Sequence, residues 1–212
     1  MGVKEGLAEV RTRIASACAR AGRDPASVTL VAVSKTKPVE LLRDAIAAGQ
    51  RSFGENYAQE FRDKHEELPD LDWHFIGALQ TNKVKYVAGK ATLVHTCDRL
   101  SLAQELSKRA ASEQRVLLEV NIGREPQKAG VLPEDAPALL DQVRRLPKLR
   151  CDGLMCIPPS EGDPRPHFAA LRELGSKLGL RELSMGMSAD YEVAIAEGAT
   201  IVRVGTAIFG AR

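Results

Sequence analysis

The sequence predicts an α/β protein, a single (β/α)8 barrel (TIM barrel) spanning residues 1–212. Three observations carry that prediction. Strand-like and helical segments alternate strictly along the chain, which calls for a parallel sheet with right-handed crossovers. The strand-like segments number eight, the count that closes such a barrel. The first of them, Val28-Thr29-Leu30-Val31-Ala32-Val33, is short, β-branched and almost wholly apolar, as suits a strand covered on both faces. An open doubly wound sheet is the competing arrangement. The chain is shorter than the ~250 residues usual for these barrels, so its loops must be tight.

The elements follow in order. Leu7, Val10, Ile14 and Cys18 recur at helical spacing within 3–21, with charges on the other face, and Asp24-Pro25 marks the turn into the first strand. Then come helix 39–48, strand 51–55, helix 57–67, strand 73–77, a short helix 82–88 and strand 92–96. Asp98 reads as the N-cap of helix 99–112. Strand 115–122 follows, and Pro133 opens helix 134–145. Strand 151–157, helix 166–178 and strand 182–185 lead to helix 189–197, which Gly198 stops. Strand 200–204 and a short helix 207–209 complete the eight units.

Composition excludes several classes of function. Hydrophobic residues make up 44% and charged residues 27%, and 30 Lys and Arg against 28 Asp and Glu leave a net charge of +2. That balance does not fit a nucleic-acid coat or a polybasic membrane binder. Aromatic residues at 4% are too few for a base-stacking platform. No apolar run reaches the ~18 residues that span a bilayer, and Met1-Gly2-Val3-Lys4-Glu5 lacks the apolar core of a secretory signal. Cys18, Cys97, Cys151 and Cys156 show no metal or redox spacing, which reads as free thiols and a cytoplasmic protein.

In this fold the chemistry sits on the loops after the strands. Lys35 continues the first apolar run. An amine at the barrel mouth beside Val31 and Val33 would lose solvation and with it some of its proton affinity, the condition for a Schiff base with an aldehyde; a snorkelling lysine is the alternative. Lys37, beside Pro38, reads as solvent-facing. Gly54 reads as a close backbone approach, and Asn56 as either a ligand contact or a cap. His74 reads as a core histidine or a base, and Gln80 and Asn82 as loop residues or caps. Strand seven runs into Gly186-Met187-Ser188 and strand eight into Gly205-Thr206-Ala207. Each is a strand, a glycine, a hydroxyl residue and a helix start, the usual phosphate site of this barrel. Arg203 alternates with Ile201 and Gly205 and so faces inward, toward either a barrel carboxylate or a ligand. A phosphate site, an arginine beside it and a lysine across the mouth fit a phosphorylated aldehyde such as pyridoxal 5′-phosphate (PLP). A Schiff-base aldolase would use the same residues, with Glu55 or Glu119 as its carboxylate.

Five segments, 31–38, 53–57, 74–83, 183–190 and 203–210, together resemble the motifs of the pyridoxal phosphate homeostasis proteins, in order along nearly the whole chain. The resemblance implies the barrel of the alanine racemase N-terminal domain, fold type III of the PLP proteins. It implies that Lys35 holds PLP as a Schiff base, that Asn56, Met187, Ser188, Gly205 and Thr206 line its site, and that Arg203 faces the ring nitrogen. It implies binding and delivery of PLP to apo-enzymes, with effects on amino-acid and keto-acid pools and no established catalysis. Cys156 and the loop before Lys128 depart from the family pattern, which leaves Cys156 as core or ring neighbour and the role of Lys128 open. An amino-acid racemase is the competing reading. It needs an acid/base on each face of the ring; racemases of this fold take the second from an added domain, and Tyr57, Tyr86 and Tyr191 all fall on predicted helices. The expected protein is a monomer that binds neither nucleic acid nor membrane.

Overall fold

The computed structural model describes residues 2–210; Met1, Ala211 and Arg212, at the ends of the span assigned from sequence, lie outside the described residues. Eight strands, β1 (Thr29–Val33), β2 (Ser52–Glu55), β3 (Asp72–Phe75), β4 (Leu93–Cys97), β5 (Gln114–Glu119), β6 (Leu149–Met155), β7 (Glu182–Ser184) and β8 (Ile201–Val204), form a closed barrel in sequence order. Closure rests on β1 pairing with β8, Thr29 opposite Ile201 through Ala32 opposite Val204, which rules out the open sheet. All eight pairings are parallel. Every strand therefore ends at the same mouth.

Helix α1 (Val3–Arg20) precedes the barrel. Helices α2 (Val39–Ala47), α3 (Ala58–Glu67), α4 (Leu100–Arg109), α5 (Ala136–Arg144), α6 (Arg165–Leu178), α7 (Tyr191–Ala196) and α8 (Thr206–Phe209) follow strands. The unit after β3 departs from the expected short helix 82–88: it is a 3-10 turn, Thr81–Tyr86. Two helix starts also shift. Arg99, not Asp98, is the N-cap of α4, and the Asp98 carboxylate pairs with Arg99 instead. Helix α5 opens at Ala136 with Pro137 in its first turn, while Pro133 sits in the turn before it.

Strand alternation divides the apolar residues into two cores. Val31, Leu93, Leu117, Met155 and Ile201 fill the inside of the barrel. The larger core lies between strands and helices, and includes Phe53, Phe61, Trp73 and Phe75 with ring centroids 5.9–6.0 Å apart. The Trp73 indole N–H donates to the Leu68 carbonyl, so this large ring is buried without an orphaned donor. Toward the mouth the barrel interior turns polar, which an oily core would not need. Among the described residues, no helix is long and apolar enough to cross a membrane, and no cluster of three His, Cys, Asp or Glu could hold a metal ion.

Candidate functional site

A cavity of about 370 Å³ opens at the C-terminal ends of the strands. Its walls bring together Lys35 and Thr36 after β1, Asn56 after β2, Met187 and Ser188 after β7, and Arg203, Gly205 and Thr206 on and after β8. Each strand delivers its loop because the parallel register leaves all the chain exits on one rim. All seven residues expected at a ligand site from the sequence thus lie around one cavity.

Lys35 is half-buried in the turn that follows β1. Lys37, expected to face solvent, is half-buried. Its ammonium donates to the carbonyls of Phe209 (3.2 Å) and Gly210 (3.1 Å), satisfying the C-terminal end of α8, where a positive charge is favoured. Asn56 is not a cap: Tyr57 takes the N-cap position of α3 and makes no side-chain cap bond. The Asn56 Oδ1 is buried without a protein partner. An unsatisfied acceptor in a cavity wall fits a ligand donor, and is costly otherwise. Gln80 is the N-cap of the 3-10 turn, with no side-chain bond, and it and Asn82 are exposed.

The loops after β7 and β8 meet. The Arg203 amide donates to the Gly186 carbonyl (3.0 Å), and the Gly205 amide reaches Ser188 Oγ at 3.3 Å. Gly186 has φ +90°, and a Cβ there would sit 2.6 Å from that of Ala194, so only glycine lets this loop turn back onto α7. These bonds bring Ser188 and Thr206 together in the cavity wall, two hydroxyl residues of a kind suited to an anion.

Arg203 is buried inside the barrel, as alternation with Ile201 predicts. Among the described residues its bonds do not run to a barrel carboxylate. One terminal N–H group donates to Ser184 Oγ (2.6 Å) and the other to the Cys156 carbonyl (3.0 Å). Ser184 Oγ is also bonded to His95 Nδ1 (2.8 Å), and His95 Nε2 to His74 Nδ1 (2.9 Å). Burial holds His74 down at about 4, helped by Arg115, and holds His95 well below the ordinary imidazole range, helped by His74 and Arg203. Both rings are therefore neutral at pH 7, and a charge on His95 would face the buried guanidinium. His74 is a bonded interior residue and does not line the cavity. Burial raises Glu119 to about 7, with Asp98 pushing the same way and Arg203 opposing.

The aldolase carboxylates fare unequally. Glu55 faces the helix layer, where its Oε1 accepts from Lys64 (2.7 Å) and from Ser34 Oγ (2.6 Å), so it is not beside Lys35 inside the barrel. Glu119 is buried but does not line the cavity. Cys156 is buried core, its thiol pushed up to about 12 by desolvation. Lys128 is tied down, donating to the Pro158 carbonyl (2.8 Å) and pairing with Glu125 (2.5 Å).

The alanine racemase N-terminal domain family matches residues 7–212. The chain is 52% identical to the pyridoxal phosphate homeostasis protein of Pseudomonas aeruginosa, over 99% of this chain and 96% of that one. It is 50% identical to the protein of that name from Aquifex aeolicus, over 100% and 99%. The chain belongs to the pyridoxal phosphate homeostasis proteins. Among solved structures, PipY of Synechococcus elongatus, with PLP bound, superposes with a TM-score of 0.84 at 38% identity, covering 98% of this chain and 100% of that one. Within such a homeostasis-protein barrel, sequence reasoning reads Lys37 only as solvent-facing and misses His95, Ser184 and Lys64. Only Lys64 left a signal: it falls three residues after Phe61, a charge on the apolar face of α3.

Proposed function

We propose that this chain binds PLP in the cavity at the barrel mouth and acts in intracellular PLP homeostasis by holding and delivering it. The observation that carries this reading is the convergence of Lys35, after β1, with Gly205 and Thr206, after the neighbouring β8, and Ser188, after β7, around one cavity of about 370 Å³, so the lysine lies beside the hydroxyl loops and not across the mouth from them. The bound form of PipY, similar over its whole length, supports it.

The donor set fits the ligand at both ends. PLP supplies an aldehyde carbon that can be held covalently and a phosphate that can be held by hydrogen bonds. Lys35 would add its amine to that carbon, forming the Schiff base, with loss of water. Ser188, Gly205 and Thr206 would hold the phosphate, Asn56 would offer its unsatisfied oxygen, and Met187 would cover one face. Arg203 would meet the ring nitrogen. A guanidinium does not give up its proton near neutral pH, so it leaves that nitrogen unprotonated and the ring a weaker electron sink. Racemisation needs a second base. Among the described residues lining the cavity, the titratable ones are Lys35, Lys37 and Arg203, and Lys37 is committed to the end of α8. That supports holding and handover to apo-enzymes over turnover, with effects on amino-acid and keto-acid pools arising through those enzymes. The four free cysteines support a cytoplasmic location, and we take the working form to be a monomer, which light scattering on the purified protein checks.

Addition of PLP to the purified protein should raise a visible absorption band. Borohydride reduction should then fix the added mass on the peptide carrying Lys35. In Lys35→Ala the band should vanish while the thermal midpoint stays within a few degrees. Label on another lysine, or a band that survives the substitution, would overturn the reading. Chiral inversion of an added amino acid faster than with free PLP would replace it with the racemase.

A further inference from the structure

On the outer face of β1 and β2, away from the cavity, lies a buried charged cluster to which the proposed function assigns nothing. Its centre is Lys64 of α3, only 5% exposed. An ammonium has three N–H bonds to place, and Lys64 places all three, each at 2.7 Å: on the Ser34 carbonyl, on Glu55 Oε1 and on Glu60 Oε1. Ser34 closes a loop with this group by donating its own hydroxyl to Glu55 Oε1 at 2.6 Å. Glu60 Oε1 in turn accepts from the Thr36 amide at 2.6 Å.

The two backbone groups held this way belong to Ser34 and Thr36, the residues on either side of Lys35. Thr36 has φ +62°, a left-handed conformation unfavourable for a β-branched residue. Such a conformation persists only where its surroundings over-determine it; here the Lys37 amide closes the turn on the Ser34 carbonyl (3.0 Å), and Glu60 is the side chain that adds to it by holding the Thr36 amide. Burying a lysine with the Glu55 carboxylate, and Glu60 partly exposed beside them, adds little net stability compared with an apolar packing of the same volume. What this arrangement does supply is a fixed geometry. An i,i+4 pair on α3 fastens both peptides that flank Lys35.

We infer that Lys64 and Glu60 are positioning residues for Lys35: from the opposite side of the sheet they fix the backbone on both flanks of the lysine and so hold its amine ready in the cavity. Neither residue lines the cavity. The inference rests on the reading that Lys35 condenses with PLP. In that step the Lys35 nitrogen bonds to the aldehyde carbon, and the aldehyde oxygen leaves as water carrying both amine protons. Fixing the amine beforehand accelerates condensation without strengthening contacts to the rest of the ligand.

The test separates those two quantities. Glu60→Ala removes the Thr36 acceptor from a partly exposed position. Lys64→Met alone would strand Glu55, so it is made with Glu55→Gln. Stopped-flow absorbance should show condensation with PLP slowed about tenfold or more in both. Binding of 4-deoxypyridoxine 5′-phosphate, which lacks the aldehyde, should stay within about twofold of wild type, since the phosphate and ring contacts are untouched. Glu60→Gln, whose amide oxygen still accepts from Thr36, should recover most of the rate. In the ligand-free protein, hydrogen exchange at the Thr36 amide should accelerate in Glu60→Ala and not in Glu60→Gln. Wild-type condensation rates in both disrupted variants would overturn the inference alone. A parallel loss of analogue affinity would also overturn it, by showing a merely structural role. A wild type that forms no linkage at Lys35 would overturn this inference together with the functional reading.

Discussion

Arg203 shows how one buried residue organises its neighbours. A guanidinium inside a barrel must be solvated by the protein, and here a hydroxyl and a carbonyl do it, at Ser184 and Cys156. Burial lowers the proton affinity of Arg203, yet an arginine keeps its charge at any physiological pH. Ser184 is the hinge between this charge and the His95–His74 pair. Ser184→Ala therefore strips one partner from Arg203 and one from His95 at once. Leaving such groups unsatisfied costs about 1–3 kcal/mol each, so a loss of about 2–4 kcal/mol in urea unfolding is expected, with a changed ¹⁵N signature at His95 Nδ1. A loss below about 0.5 kcal/mol would mean that water replaces the hydroxyl. The inward side of Arg203 was legible from alternation in the sequence. Its partners were not, because Cys156 and Ser184 lie 47 and 19 residues away along the chain.

At the scale of the element, the loops after β2 and β3 depend on a close backbone approach. A Cβ on Gly77 would fall 2.1 Å from the Asn56 carbonyl oxygen and 2.6 Å from its Cα. Backbone cannot yield as a flexible side chain does, so Gly77→Ala must displace the Asn56 loop. We expect a loss of about 2–4 kcal/mol in urea unfolding, with weaker PLP binding than in a control substitution at exposed Gly22. Unchanged stability and affinity would show that the loop has slack. Element type and order were legible because hydrophobic period and turn residues are local signals. The errors lie where locality fails. Asp98 has a capping side chain but spends it on Arg99, and Gly54, read as admitting backbone, is crowded instead by the side chains of Val31 and Ile76.

For the whole molecule, buried titratable groups set opposing pH dependences. His74 titrates near 4 in the folded protein and near 6.5 when unfolded. Between those values the unfolded chain binds more protons, so the stabilisation from neutral His74 is complete above pH 6.5 and is lost as pH falls toward 4. From pH 7 to pH 5 that amounts to about 2 kcal/mol, and His95 acts with the same sign. Glu119 acts oppositely: with its folded value raised to about 7 from 4.5, its contribution is present below pH 4.5 and is lost as pH rises through 7. Thermal unfolding between pH 5 and 7 should show Glu119→Gln losing stability on acidification more steeply than wild type, and His74→Leu less steeply. Parallel profiles in all three proteins would sink this assignment.

By itself the sequence determined the barrel, the order of its elements and the residues that leave each strand at the mouth, since these follow from local periodicity and from the geometry of parallel strands. The five motifs also placed the chain in its family. Only the tertiary structure decided which polar groups pair: Lys37 with the end of α8, Ser184 between Arg203 and His95, and Lys64 behind the Lys35 turn. Hydrogen bonds form between whatever groups closure brings within 3 Å or so, and closure joins residues that no window of the sequence contains.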